Sequence, residues 1–578
     1  MSKIFNFYGK EIFDPGVYSK ILTVGGANPT PNGENALVII AEAINGPKFG
    51  ETVAVSNVGE AQMIFGDQGP AIEAVFRAFN ASPSLSPAQD VRVFNPRALV
   101  QATGTIVTTS GGGVTAITLG SRIYGPAGNG IKVSLASGLC TVHFPWSDDD
   151  LTKTIDNPIM DIIMPSGFVT ITKTTISVGL TGALVDYKFA DYPKLIDLIN
   201  AIEADEPTVS ITKDVTTSDN QSTIGLFDQL SGENAITAGL TLKADLKELF
   251  DFLNAEVYDL EATLAATATT AVEDFEFYLT GGTSGVDPDA TQWGKVYDEL
   301  ETQRLAVTCP IADGIPAPYD ATLTAAIMVL DEQHAVKMNQ PDKRGKRRQS
   351  FISAHGGHGW NGEFVAKPAN AEAIVTIANT HNSEYSQFFG DGLNVINQQG
   401  VEYAELPCYF AVAAASVFLG ALASRVLTSQ PVTAIKASTR YTAADRKKLH
   451  QASVIFAVTT TTTNIRQFYT TWKSTDEPMK TVPSRVRCAL LSDNDVARKL
   501  EQWMAQFQNS GIAPFNSEGK TYIRRVLESH QNKSVNWVDT FGEIEFSSSG
   551  IEFTYRVKDI VVPRIPEYGF GTTEFLNV

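Results

Sequence analysis

The sequence predicts a multi-domain protein of mixed α/β and α+β class. It has a discontinuous α/β core domain, a β-rich outward insertion, and a C-terminal α+β domain with extended N- and C-terminal arms. Three observations predict this. Strand–helix alternation appears before residue 100 and returns after 285, with a stretch dense in Thr, Gly and Ser between them. Both ends carry apolar strands that cannot bury their side chains alone. With 578 residues, the chain is too long for one core.

In chain order, residues 1–21 form an apolar, aromatic arm broken by Asp14-Pro15-Gly16-Val17-Tyr18. Ala36–Ala41 (ALVIIA) is apolar without alternation, as expected of a strand covered on both faces. Gly46-Pro47 makes a turn, Val53–Val55 a short strand, and Ser56 stands where a helix N-cap would, with Glu60 beyond it. Residues 70–80 place Ile72, Val75, Phe76 and Phe79 on one helical face, and Val91–Phe94 is the next strand. Residues 101–280 then read as β-rich with turn signals, interrupted by a helix over 192–204 and a longer amphipathic stretch over 240–264. After 285, helices are expected around Trp293–Leu300, over 319–339, 367–380 and 409–427, with strands at Leu305–Thr308 and Phe351–Ala354. In the last part, Ser453–Thr463 is β-branched. Asp493–Gln508 is a helix with Val496, Leu500, Trp503, Met504 and Phe507 inward and Asp493, Asp495, Lys499 and Glu501 outward. In the closing hairpin Ile551, Phe553, Tyr555 and Val557 alternate with Glu552, Thr554, Arg556 and Lys558.

The expected divisions are an N-terminal exchange arm (1–21), an α/β domain in two parts (22–100 and 281–450), the inserted β-rich region (101–280, as one or two subdomains), a C-terminal domain (451–562) and a tail (563–578). Phe5, Phe7, Ile12, Val17 and Tyr18 in one arm, and Ile551, Phe553, Tyr555 and Val557 near the other end, are the candidates for contacts between copies. Sticky extended segments at both ends suit a polymer whose neighbours exchange strands.

Composition removes several function classes. Apolar content of 43% and charged content of 19% are those of a globular chain. A net charge of −19 argues against broad nucleic-acid binding. The four cysteines lie far apart without a Cys-x-x-Cys, so neither a disulfide framework nor a zinc site is expected. The N-terminus lacks the apolar run of a signal peptide. Cys408–Ser424 is 17 residues without a charge; its Ala and Ser content favours a buried helix over a membrane span, so no stable membrane insertion is expected.

No catalytic, cofactor or metal constellation emerges. Gly519-Lys520-Thr521 lacks the phosphate-loop glycine, since Pro514 stands in its place. His355-Gly356-Gly357-His358 has only Glu363 as a nearby carboxylate and reads as a glycine loop. Asp148-Asp149-Asp150 lacks the glycine and bidentate Glu of a calcium loop. Lys343, Arg344, Lys346, Arg347 and Arg348 put five cations into six residues. They read either as a solvated loop or as a docking patch for an acidic protein surface, including one on a neighbouring subunit.

Taken in order, several stretches resemble contractile tail sheath proteins of bacteriophages with long contracting tails. They are Pro15-Gly16-Val17-Tyr18; Ala36–Ile44 with Gly46-Pro47; Val53–Ser56 with Glu60-Ala61 and Phe65-Gly66; the helix 70–80 and strand Val91–Phe94; Tyr124-Gly125-Pro126-Ala127-Gly128-Asn129-Gly130-Ile131; Phe277–Gly285; the small-residue helix near 409–427; and the final strands. The departures lie mainly in 101–280 and 451–470.

The resemblance implies a structural virion protein with no cofactor and no enzymatic activity, assembled in the host cytoplasm. Six subunits would form a ring, and rings would stack helically around a tail tube, contracting to drive the tube through the host envelope. Partners would be other copies, the tube protein, and baseplate and tail terminator proteins, but no nucleic acid. The resemblance places the C-terminal domain innermost, which makes Arg498, Lys499, Arg524 and Arg525 candidates to face the tube. The alternative is a β-rich virion or cell-surface adhesion protein.

Overall fold

The computed structural model describes residues 35–107, 114–147, 149–265, 274–340, 343, 345–396, 400–474, 478–506, 517–532, 537–547 and 550–557, with four short terminal strands. The chain divides into two units, Met1–Ser19 with Leu99–Ser284, and Lys20–Ala98 with Gly285–Val578.

The second unit is organised by an eight-stranded sheet. Its strands are β1 (Ala36–Ile40), β2 (Thr52–Val55), β3 (Asp90–Phe94), β4 (Val307–Pro310), β5 (Gln349–Ser353), β6 (Ser386–Phe389), β7 (Val454–Thr459) and β8 (Thr463–Arg466), in the order β8-β7-β6-β5-β4-β1-β3-β2. The six strands from β7 to β3 are parallel, and β2 and β8 close the two edges antiparallel. Parallel strands need crossovers, and these place helices on both faces. One face carries α1 (Val58–Phe65) and α2 (Pro70–Phe79); the other carries α3 (Ala290–Leu300), α4 (Ala321–Met338) and α5 (Ala371–Ala378). The run ALVII therefore divides between two cores: Leu37 and Ile39 pack on the first face, Ala36, Val38 and Ile40 on the second.

Side chains fix the helix starts. Asn57, rather than the expected Ser56, caps α1 by accepting from Glu60 N. Pro70 opens α2, and Asp289, Asp320 and Asn370 cap α3, α4 and α5. The uncharged run at 408–424 forms α6 (Pro407–Gly420) on the α1/α2 face, with every residue from Pro407 to Leu419 buried. Among the described residues, no helix is long and apolar enough to cross a membrane.

The sheet does not stop at the expected boundary of 450. After α7 (Ala443–Gln451), β7 pairs with β6, and Thr460–Thr462 is the turn into β8. The threonine run is thus a hairpin, with the Thr459 and Thr463 hydroxyls 3.0 Å apart. The outer edge of β8 is closed by residues 429–432, through Ser429 N to Ile465 O, Ile465 N to Gln430 O and Val432 N to Thr463 O. Beyond it lie α8 (Pro483–Ala505), α9 (Ser517–His530) and a hairpin of β9 (Val538–Ser547) and β10 (Gly550–Val557).

The Leu99–Ser284 unit contains two apolar cores. Strands Leu260–Leu264, Thr115–Ser121 and Thr103–Val107 form one sheet, and Leu151–Thr154, Leu139–His143, Lys132–Ala136 and Phe275–Tyr278 another; both contribute to a core that includes Ile106, Leu119, Val133 and Val142. The second core lies among a three-stranded sheet centred on Pro158–Ile163, a four-stranded sheet centred on Thr175–Leu180 and Gly167–Ile171, and the helix Leu195–Asp205. The stretch 240–264 is not one amphipathic helix: Leu240–Lys243 and Leu260–Leu264 are strands flanking a short helix and a π-turn. The ends of the unit run side by side, with Val100 N to Thr283 O at 3.0 Å and Thr103 paired to Thr280 in both directions.

Candidate assembly surfaces

The terminal segments form two-stranded ribbons. Phe5–Phe7 pairs with Lys10–Ile12, setting Phe5 opposite Ile12 and Phe7 opposite Lys10, and Val562–Arg564 pairs with Glu574–Leu576. Val17 and Tyr18 lie outside the described residues, as do the side chains of Phe5, Phe7 and Ile12. Among the described residues each ribbon strand, like β9 and β10, pairs with a single partner. An isolated two-stranded ribbon is marginal in water, and each open edge is a row of unpaired peptide groups.

The alternating face of the closing hairpin also makes contacts within the chain. Ile551 and Phe553 pair along the ladder with Phe546 and Ile544, and the side chains of Ile551 and Phe553 lie outside the described set. Tyr555 and Val557 have partners within the chain. The Tyr555 hydroxyl donates to Ala489 O at 3.2 Å and to Asp493. Val557 packs against the small cluster of Ala423, Val482, Cys488 and Leu491.

The basic loop makes several contacts within the chain. Arg348 is fully buried and donates to the carbonyls of Leu300 (3.1 Å), Gln303 (2.7 Å) and Lys346 (3.2 Å), with Nη1 3.3 Å from His334 Nε2. Burial pushes its guanidinium down to about 9, with Asp331 and Glu301 pulling upward. Arg347 pairs with Asp493, and Lys343 reaches Glu301 at 3.4 Å. Lys346 is half-buried, and Arg344 lies outside the described residues. Lys343, Arg347 and Arg348 thus help hold the loop to its own chain.

Of the tube-facing candidates, Arg498 is paired with Asp495 one helical turn away and Lys499 is half-buried. Arg524 and Arg525 are exposed on α9. Asp495, expected outward, is buried because it receives two cationic or donor groups, Arg498 and His530. Burial pushes its carboxyl up, but His530 and Arg498 hold it below its ordinary value.

Sequence reasoning missed this second partner. His530 Nε2 lies 2.7 Å from Asp495 Oδ2, and its Nδ1 lies 3.0 Å from Ser492 Oγ. The string has the residue types of a nucleophilic triad with the two ring nitrogens exchanged, the carboxylate on Nε2 and the hydroxyl on Nδ1. All three side chains are buried, Ser492 completely, so no substrate carbonyl can reach the hydroxyl. The string ties α8 to α9. The sequence reading began this helix at Asp493 and set Asp495 outward, so the string was not legible.

Other candidate motifs resolve into local structure. His358 Nδ1 lies 3.1 Å from Ala404 O. Gly357 has φ +129, and a Cβ there would stand 2.6 Å from Glu405 O, so this glycine serves close backbone approach. Asp150 pairs with His143 at 2.7 Å. Asp148 lies outside the described residues. Among the described residues no group of three side chains is placed to hold a metal ion. At the carboxyl ends of the central strands sits a buried polar cluster. Asp313 accepts from Tyr409 Oη and Trp360 N, and Arg77 Nε lies 3.1 Å from Glu405.

Charge is divided unevenly along the chain. Residues 99–284 hold 24 Asp and Glu against nine Lys and Arg, a net −15 of the total −19. Of those carboxylates, only Asp228 is buried among the described residues.

No protein-family model and no curated protein matches this chain. Among solved structures it is similar to the sheath tail protein of Desulfitobacterium hafniense, at 12% identity and a TM-score of 0.45, over 97% of this chain and 99% of that one. It is similar to a sheath tail protein of Listeria innocua at 11% identity and a TM-score of 0.47, over 95% of each chain. The contracted helical sheath of the anti-feeding prophage is similar over 52% of this chain and 78% of that one, at 10% identity and a TM-score of 0.33.

Proposed function

We propose that this chain is the structural subunit of a contractile phage tail sheath. It polymerises as stacked hexameric rings around a tail tube and contracts to drive the tube through the host envelope. One observation carries the reading: a large, densely packed α/β unit is joined to two-stranded ribbons and a hairpin in which, among the described residues, each strand pairs with one other strand only. The stretch-by-stretch resemblance of the sequence to tail sheath proteins supports it.

In this reading the ribbons at residues 1–21 and 563–578 and the hairpin up to 562 are links between copies. Each added strand gains about 1 kcal/mol net per hydrogen bond, and large apolar side chains buried with it add roughly 1.5–3 kcal/mol each. Such links hold subunits together while the domains slide and repack from a metastable array to a better-packed one. No nucleotide, cofactor or catalytic group is required. The region 101–280 faces outward and is dispensable for the polymer, and the C-terminal domain faces the tube. Partners are other copies, the tube protein, and baseplate and terminator proteins, and the assembled site is the virion, built in the host cytoplasm.

Electron microscopy of the purified full-length chain tests this. Tubular polymers are expected from the full chain, and folded, non-polymerising subunits from a chain lacking residues 1–21. A full chain that stays monomeric at high concentration, or a truncated chain that forms normal tubes, would overturn the reading.

A further inference from the structure

We propose that Asp493 is a positioning residue, holding the C-terminal hairpin in the pose in which a second copy of this chain adds a strand to it; the proposal rests on the sheath reading above. The two oxygens of this carboxylate serve different parts of the chain. Oδ1 accepts the hydroxyl of Tyr555 from β10, and Oδ2 accepts Nη1 of Arg347 from the loop entering β5. The Tyr555 hydroxyl also reaches Ala489 O, one turn earlier on α8.

The loop side of this junction is itself fixed. Asn494, the next residue, grips the Arg347 main chain from both directions, with Arg347 N to Oδ1 at 3.0 Å and Nδ2 to Arg347 O at 2.9 Å. Arg348 follows, anchored on buried carbonyls beside the central sheet. A continuous line of short polar contacts therefore runs from β5 through Arg347 and Asp493 to Tyr555. On the apolar side, Val557 seats in the pocket of Ala423, Val482, Cys488 and Leu491.

A hairpin of two strands has little stability of its own. Adding a third strand to a mobile hairpin must order both, whereas adding it to a docked one orders only the newcomer. The contact at Asp493 is partly buried, charge-assisted and made by a hydroxyl that can be removed without changing the ring. Its effect belongs to assembly more than to the core, because the groups it joins stand on α8, β10 and the loop before β5, outside the strands of the main sheet.

The experiment compares the full-length chain with Tyr555→Phe and Arg347→Gln. Amide hydrogen exchange is measured on the unassembled subunit, and the critical concentration for polymer formation by sedimentation and microscopy. Tyr555→Phe is expected to speed exchange across Val538–Val557 by about tenfold, with Ala36–Ile40 unchanged, and to raise the critical concentration several-fold. Arg347→Gln is expected to act in the same direction with a smaller effect. Exchange that rises in the hairpin while the critical concentration stays put overturns the proposal, as does no change in either. A wild-type chain that never polymerises overturns the sheath reading and this role with it. A wild-type chain and variants that polymerise equally well overturn this role alone.

Discussion

The Tyr409 hydroxyl donates to Asp313 Oδ2 at 2.6 Å, at a point where both side chains are shut off from solvent. Burial pushes the Asp313 carboxyl up to about 7, against the downward pull of Tyr409 and the backbone amides of Trp360 and Gly314. Glu405 nearby is pushed up by burial to about 8, with Arg77 pulling it down.

These carboxyls give the α/β unit a pH dependence of definite sign. A carboxyl that titrates higher in the folded chain than in the unfolded one favours folding most when both states hold the proton. The stability Asp313 contributes is present in acid and is lost between about pH 4 and about pH 7, at about 1.4 kcal/mol for each step of one in pH across that window. Asp313→Asn keeps an acceptor for Tyr409 and removes the titration. Urea unfolding from pH 4.5 to 8 is expected to show a shallower loss of stability in the variant than in the wild type; parallel curves would contradict this.

Gly420 sits where the last turn of α6 meets the main chain at residues 86–87. A Cβ built there would stand 2.0 Å from Ser86 O and 2.5 Å from Pro87 O. Gly420→Ala is expected to destabilise the unit by about 1–3 kcal/mol or more, read as a lower denaturation midpoint with an unchanged m-value. Ala at Gly362, where nothing lies within 4 Å but φ is +80, makes a control for backbone strain alone.

The paired ends of the acidic unit predict that it can be removed. With Val100 and Thr283 hydrogen-bonded side by side, a short linker between Ala98 and Gly285 replaces residues 99–284 without stretching the chain. The remaining chain is expected to keep a cooperative thermal transition and its α/β circular dichroism. Loss of that transition would show that the two units do not fold separately.

The exposed pair Arg524 and Arg525 is the better test of a tube-facing surface, since Arg498 is already matched by Asp495. Exposed ion pairs contribute about 0–1 kcal/mol each and weaken with salt. Reversing both charges to Glu is expected to weaken co-assembly with the tube protein at low ionic strength, while polymers formed without a tube are unchanged. Equal co-assembly of variant and wild type at low salt would remove α9 from the interface.

Much of the α/β unit was legible in the sequence because its signals are local. Ala36–Ile40 has no polar residue to turn outward, and α2 carries an apolar face and opens on Pro70. The stretch 240–264 was misread because long-range pairing overrode its helical periodicity: Leu240–Lys243 joins Pro158–Ile163, and Leu260–Leu264 joins Thr115–Ser121. Arg348 and Asp495 were misplaced for a related reason. A charged side chain reads as surface until its partners, which are distant in sequence, are known. Here they are the carbonyls of Leu300 and Gln303 for the first, and His530 for the second.

At Gly420, Gly392 and Gly357 the backbone lies directly on backbone, with no layer of flexible side chains between. Such contacts have almost no give. A body built this way behaves under load as a stiff plate, and a displacement applied at one edge reappears at the other with little damping. Elastic deformation is then smallest where main chain meets main chain and larger where side chains fill the contact.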